Sequence, residues 1–392
     1  MNIDIFCRVI DNYGDIGVCW RLAKELMLSE HSVTIISDHL EVFAKIFHEV
    51  NPSKSFQICC FKGKTVRLYK WQEQIENYMP GDMVIEAFAC NIPEFFIDRF
   101  TDKTIWINLE YLSAEDWIEG CHKLPSLQNR GLKKFFFFPG FTSKTGGINF
   151  NSSTLRLDKK ELRSHVCRQL GLNLALSDRF WFFIFCYETP NIKTLIQCVL
   201  KHHPETVLLL PESRSTEYLK NTGSLSELKN EFPDAVFHEY PMVEQSEFDK
   251  ILGSTDLNLV RGEDSICQAM MYGIPFIWHI YEQDNNAHLD KLEAMLDKFC
   301  KYTTDETAYV IRNSIIKFNE KISSQDILCA NFNEFMLEYD TICEAAEKWS
   351  FLPRPPGVRL QRVSALCWPE PGAQPGEPWG LQTWRVVSGA TG

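Results

Sequence analysis

The sequence has no C-x-x-C pair among its 14 cysteines. It also has no apolar run near the ~20 residues a bilayer-spanning helix needs. The first absence argues against a zinc or disulfide framework, and the residues between the cysteines follow no ligand spacing. Cys59-Cys60 lies inside an apolar, strand-like run, where thiols pack as small hydrophobes. No metal site is expected. Positive charge is scarce too: 40 basic residues stand against 52 acidic ones, a net charge of −12. That balance excludes general affinity for a nucleic-acid backbone and favours a basic partner. The N-terminus shows no basic stretch ahead of an apolar core. The expectation is therefore a reduced, cytoplasmic protein with neither nucleic acid nor membrane as partner. The dinucleotide fingerprint G-x-G-x-x-G is missing as well.

In its place stands Asp11-Asn12-Tyr13-Gly14-Asp15-Ile16-Gly17. It follows the apolar run from Ile3 to Ile10. It precedes Val18, Leu22, Leu26 and Met27 at helical spacing, so it reads as the loop between a strand and a helix. In an open α/β sheet such a loop lies at the carboxyl end of its strand, where ligands bind. Asp11 and Asp15 bring two negative charges there. Gly14 and Gly17 permit close approaches that a side chain would block.

At 392 residues, two domains are expected. Short apolar runs alternate with helical patterns: Val33–Ser37, Phe56–Phe61, Met83–Ala89, Thr104–Leu109 and Phe135–Phe138. A second series follows at Phe180–Tyr187, Thr206–Leu210, Ala235–Tyr240, Leu257–Val260 and Pro275–Ile280. Alternation of this kind predicts doubly wound parallel sheets. The reading is α/β: two Rossmann-like domains, 1–150 and 179–325, facing a cleft, with a linker at 151–178 and a C-terminal helix at 326–349. After Leu352 there is no Lys, Ile, Asn, Asp, Phe or Tyr, while Arg, Pro, Gly and Trp abound. Residues 350–392 are therefore read as a disordered tail or an out-of-family translated segment, outside the fold.

Arg261-Gly262-Glu263-Asp264-Ser265 follows a strand and opens a helix. Asp264 or Ser265 can cap that helix, leaving backbone N–H groups for phosphate oxygens. Glu263 can bond a ribose hydroxyl and Arg261 can neutralise a diphosphate. A plain helix cap with a surface ion pair accounts for the same residues. Met242 and Gln245, at another strand-to-helix junction, can cover and read a nucleobase, or simply start a buried helix. Tyr187 and His279 end strands of this half and can face the cleft or pack as core. Gln283 lies in a polar stretch just beyond His279. In the first half, Glu110 is a cleft carboxylate or a structural acceptor. The Phe138–Thr142 loop with Gly146-Gly147 can cover a substrate or pack on the linker.

Taken together, DNYGDIGVCWRLAKEL, INLEYLSAEDW, FFFFPGFT with TGG, LVRGEDS and PFIWHIYEQDNNAHLDKL resemble the EarP family, in order and up to about residue 345. These are protein-arginine rhamnosyltransferases acting on translation elongation factor P. The resemblance implies a GT-B glycosyltransferase that uses dTDP-β-L-rhamnose, inverts the anomeric centre, and needs neither metal nor other cofactor. It makes the first domain the acceptor-binding one. It casts Asp15 as general base with Asp11 as its companion carboxylate, and leaves Asn12, Tyr13, Gly14 and Gly17 in the cleft. It places the donor at Tyr187, Gln245, Arg261, Glu263, Asp264 and Ser265, with Met242 where an aromatic ring over the base is expected. A thioether can also cover a π-face.

Two rivals predict different behaviour. A nucleotide-sugar epimerase on this scaffold turns over donor alone. A non-catalytic acidic partner of a translation factor binds it regardless of donor or of Asp15.

Overall fold

The structure, a computed structural model, describes residues 1–10, 13–71, 75–148, 157–283, 287–320 and 324–351. The first lobe comprises β1 (Asn2–Cys7), α1 (Tyr13–Leu28), β2 (Ser32–Ser37), α2 (Leu40–Ile46), β3 (Phe56–Phe61), β4 (Lys64–Lys70), β5 (Met83–Ala87), α3 (Glu94–Ile97), β6 (Ile105–Leu109), α4 (Ile118–Cys121), β7 (Pro125–Leu127) and β8 (Lys133–Phe137). Its strands form one sheet in the order β3-β4-β2-β1-β5-β6-β8-β7. Side chains of β1 alternate between two cores. Ile3, Ile5 and Cys7 join the layer under α1, while Phe6 joins Trp71, Phe96 and Trp106 on the other face. Burial on both faces is what a near-continuous apolar strand requires.

Two strands escape the apolar-run criterion. In β4, polar residues alternate with the buried Val66 and Leu68. It pairs antiparallel with β3 across Lys62 and Gly63, both left-handed at φ 48° and 77°. A two-residue turn of that twist suits a hairpin. The short β7 likewise runs antiparallel to β8. The first sheet is therefore mixed, with a parallel centre.

The second lobe comprises α5 (Lys159–Leu170), β9 (Trp181–Ile184), α6 (Asn191–His202), β10 (Val207–Pro211), α7 (Arg214–Asn221), α8 (Ser224–Glu231), β11 (Val236–Tyr240), α9 (Gln245–Ser254), β12 (Leu257–Arg261), α10 (Gly262–Tyr272), β13 (Phe276–His279), α11 (Ala287–Phe299), α12 (Asp305–Asn319), α13 (Gln325–Leu337) and α14 (Tyr339–Phe351). Its sheet is wholly parallel, in the order β11-β10-β9-β12-β13. In each sheet the first strand lies where the chain reverses its direction of travel, between β2 and β5 around β1 and between β10 and β12 around β9. Carboxyl ends at such points are where α/β sheets bind ligands.

Three segments depart from the sequence reading. Of the stretch read as a loop at 11–17, the residues from Tyr13 onward already belong to α1. The stretch read as linker carries α5, capped by the Asp158 carboxylate on the Glu161 N–H and packed on α9. The helix expected over 326–349 is two helices, α13 and α14, separated at Glu338. They serve different surfaces: α13 packs on α6, and α14 packs on α10 and sets Trp349 against Phe141 of the first lobe's loop. One straight helix cannot cover both. Cysteines among the described residues are free thiols. Among those residues no helix is long and apolar enough to cross a membrane. Residues 352–392 lie outside the described residues, as do Asp11 and Asn12.

Candidate active site

α1 begins just beyond the carboxyl end of β1 and is buried on two sides. Ile16, Cys19, Ala23 and Leu26 face the first lobe's core. Gly17 and Arg21, four residues apart and so on one helix face, look toward the second lobe. At Gly17 the approach is close, since an added Cβ would lie 3.4 Å from Gln245 Nε2 and 3.5 Å from Asp264 Oδ2. Gln245 Nε2 instead donates to the Gly17 carbonyl at 2.8 Å and to Asp264 at 3.1 Å. Arg21 donates through Nη1 and Nη2 to Asp249 at 2.8 and 2.9 Å, and through Nε and Nη2 to Asp264 at 2.7 and 2.9 Å. Burial opposes the Arg21 charge, but the two carboxylates outweigh it and hold the guanidinium firmly protonated. One side chain of α1 thus ties the first lobe to both α9 and α10.

Between the lobes opens a cleft of about 460 Å³, mouth included. Tyr13, Gly14 and Gly17 line it from the first lobe, facing Phe185, Met242, Gln245, Arg261, Asp264 and Ser265 from the second. Gly262 is left-handed at φ 64°, so β12 turns straight into α10, a turn that favours glycine. The residue before the helix is Arg261, and no side chain caps it. Asp264 and Ser265 therefore sit within the first turn rather than at the cap, and the helix's leading N–H groups are left for an anionic ligand. The Arg261 guanidinium lies over the rings of Phe185 and Tyr187, 4.9 and 4.7 Å from their centroids. Tyr187 itself is buried beneath it, outside the cleft lining. Gln245 Oε1 is buried without a hydrogen-bond partner among the described residues.

Asp15 lies in the first turn of α1, next to the lining Gly14 but itself outside the cleft lining, and is only 2% exposed. Its Oδ2 accepts from the Ile10 N–H at 2.7 Å and its Oδ1 from the Tyr111 hydroxyl at 3.0 Å. Glu263 points across the seam, where one oxygen accepts from the Leu112 N–H at 2.7 Å and the other pairs with Lys291. Burial raises the Glu263 carboxyl above its usual range; Lys291 pulls it down and Asp15 adds to the rise. Its oxygens serve the seam, so a ribose bond would displace an existing partner.

The remaining candidates stand further off. Glu110 accepts from Asn108, and burial raises its carboxyl despite Lys134. His279 is edge-on to Tyr187 and Phe318, with burial and then Arg261 pushing it down to about 4. It is neutral near pH 7 and lies outside the cleft lining. Gln283 is exposed and donates its backbone N–H to His288. The Phe138–Thr142 loop is closed on itself by bonds from Gly140 to Gly147 and from Gly146 to Phe138. Among the described residues no three His, Cys, Asp or Glu side chains converge as a metal site.

Sequence reasoning passed over Arg21, Asp249, Phe185, Tyr111 and Lys291. Arg21 had a legible signal, a charged residue one helical turn from Gly17. For the others the sequence offered none.

A family model described as elongation-factor P (EF-P) rhamnosyltransferase EarP matches residues 3–352. A protein-arginine rhamnosyltransferase of Shewanella oneidensis is 41% identical over 322 residues, covering 76% of this chain and 80% of that protein. Another, from Pseudomonas aeruginosa, is 37% identical over 332 residues, covering 81% and 86%. A solved structure concerned with EarP-mediated arginine glycosylation of translation elongation factor EF-P shares the fold at a TM-score of 0.59 and 22% identity, over 93% of this chain and 97% of that one.

Proposed function

The chain belongs to the EarP family of protein-arginine rhamnosyltransferases, and from that premise we propose that it transfers L-rhamnose from dTDP-β-L-rhamnose to an arginine of translation elongation factor P. The transfer inverts the anomeric carbon and uses no metal. The observation that carries this reading is the placement of Asp15 in the helical turn that lines one wall of the cleft, with Arg261 and the start of α10 on the other.

An arginine side chain is cationic at neutral pH and its nitrogen lone pairs are delocalised, so it is a poor nucleophile. A carboxylate can bind the guanidinium, direct one nitrogen at the sugar, and take its proton as the C–N bond forms. Such general-base help supplies roughly 10²–10⁴-fold, and orientation supplies the rest. Attack from the first lobe's side, opposite a diphosphate held by the second, inverts the anomeric centre. The charge growing on the leaving diphosphate falls to Arg261 and to the N–H groups at the start of α10 around Ser265. Met242 covers the base, and Gln245 Oε1 is a buried acceptor suited to its edge. Asp11, outside the described residues, remains the second acid by its place in the motif.

Mass spectrometry tests the whole reading. Elongation factor P incubated with enzyme and dTDP-rhamnose should gain one deoxyhexose on an arginine. Turnover of donor without any protein product would favour an epimerase instead.

A further inference from the structure

We propose that Tyr111 is a positioning residue for this transfer, its hydroxyl fixing the Asp15 carboxylate in the orientation from which it takes the guanidinium proton. The assignment rests on the reading of Asp15 as the base.

The backbone around Tyr111 is pinned on both sides. The Glu110 N–H donates to the Phe137 carbonyl at 2.9 Å, continuing the ladder from β6. The Leu112 N–H donates across the seam to Glu263 at 2.7 Å, and Leu112 packs into the second lobe's core. Tyr111 therefore sits where the two lobes meet, with little freedom to slide.

Its ring is held as well. Phe88 stacks on it at 4.1 Å between centroids and 11° between planes. The Lys291 ammonium lies 5.6 Å from the ring centroid. Phe88 is delivered by an unusual backbone, with Phe88, Ala89 and Asn91 all left-handed at φ 57°, 49° and 58°. Non-glycine residues keep such angles only where their surroundings enforce them. Here the Phe88 N–H bonds the Leu109 carbonyl, the Ala89 N–H bonds Asn108 and the Asn91 N–H bonds Glu86. The loop after β5 is thus braced into the shape that backs Tyr111.

The hydroxyl then reaches Asp15 Oδ1 at 3.0 Å while the Ile10 N–H holds Oδ2. A carboxylate held at both oxygens cannot rotate about its terminal bond. Among the described residues, Cys7 from β1, Tyr111 from the loop after β6 and Glu263 from α10 feel the Asp15 charge. Lys291 of α11 acts through the Glu263 carboxylate and the Tyr111 ring. Donation from the phenol stabilises the ionised form of Asp15 against the nearby Glu263, giving up some basicity in exchange for a fixed direction of attack.

Tyr111→Phe keeps the ring between Phe88 and Lys291 and removes only the hydroxyl. Its kcat should fall about ten-fold, as expected for one hydrogen bond to a charged group, with donor KM little changed. The acid limb of its kcat–pH profile should move up by about one unit, because the bond to the ionised form is gone. The hydroxyl bonds Asp15 and not Glu263, so a limb that moves with it reports Asp15. Phe88→Leu, which loosens the ring but keeps the hydroxyl, should give a smaller shift in the same direction. Wild-type kcat with an unmoved limb in Tyr111→Phe overturns the assignment, and so does a fall in kcat without movement of the limb. Asp15→Asn separates this from the parent reading. If that variant still transfers rhamnose, the base assignment falls and Tyr111 with it. If it is dead while Tyr111→Phe is unaffected, only the role of Tyr111 is lost.

Discussion

Arg21 of the first lobe and Asp249 of the second face each other in a two-bond pair of 2.8 and 2.9 Å, the arginine 2% and the aspartate 0% exposed. The same guanidinium holds Asp264 on α10, the helix whose start lines the cleft. The proposed base on one lobe and the proposed diphosphate site on the other need a fixed separation, and this contact is placed to supply it.

Removing Arg21 leaves the buried Asp249 and the half-buried Asp264 without their shared cation. Arg21→Met should destabilise the fold by ~3–5 kcal/mol, the usual effect of breaking a buried ion pair by deleting one partner. Denaturant unfolding measures it. A loss under ~1 kcal/mol, the range of exposed ion pairs, would show that the seam opens freely in solution.

Asp15→Asn keeps the size of the side chain and removes its basicity. Transfer should fall by at least ~10²-fold, while calorimetric donor affinity stays near wild type because the proposed donor site is on the second lobe.

Arg261→Met should weaken donor binding by more than ten-fold, since a charge-assisted contact to phosphate is worth ~1.5–3 kcal/mol. Ser265→Ala should weaken it less. Unchanged calorimetric affinity in both would take the diphosphate away from the start of α10.

Met242 lines the cleft and packs partly against the cores of both lobes. Met242→Phe should tighten dTDP binding by a few-fold through face-to-face contact, worth roughly 0.5–1.5 kcal/mol. Met242→Ala should loosen it, and titration calorimetry with dTDP reads both changes.

His279 and His122 are both pushed down to about 4 by burial, with Arg261 and Lys123 respectively adding to it. Their folded values lie below the unfolded one near 6.5, so between those limits the unfolded chain binds more protons. Stability should therefore fall as pH drops from ~6.5 toward 4. Denaturant midpoints across that range test this, and replacing either histidine by a neutral residue should flatten the dependence.

The sequence alone determined the alternation of strand and helix and the strand-to-helix junctions near which Asp15 and Ser265 lie, though not that both sit in a helix's first turn, because hydrophobic period and chain breaks are local quantities. It also carried the family resemblance. It passed over β4, whose polar alternation hides a half-buried strand, and it ran α13 and α14 together because one helical period fits both. What the tertiary structure decided is how polar side chains are shared across the seam. Arg21 meets Asp249 and Asp264 from 228 and 243 residues away, Gln245 and Asp264 spend hydrogen bonds on α1, and Glu263 turns to Leu112. A sequence period says which face of a helix is buried. What that face is buried against depends on how two sheets, each complete in itself, are brought together.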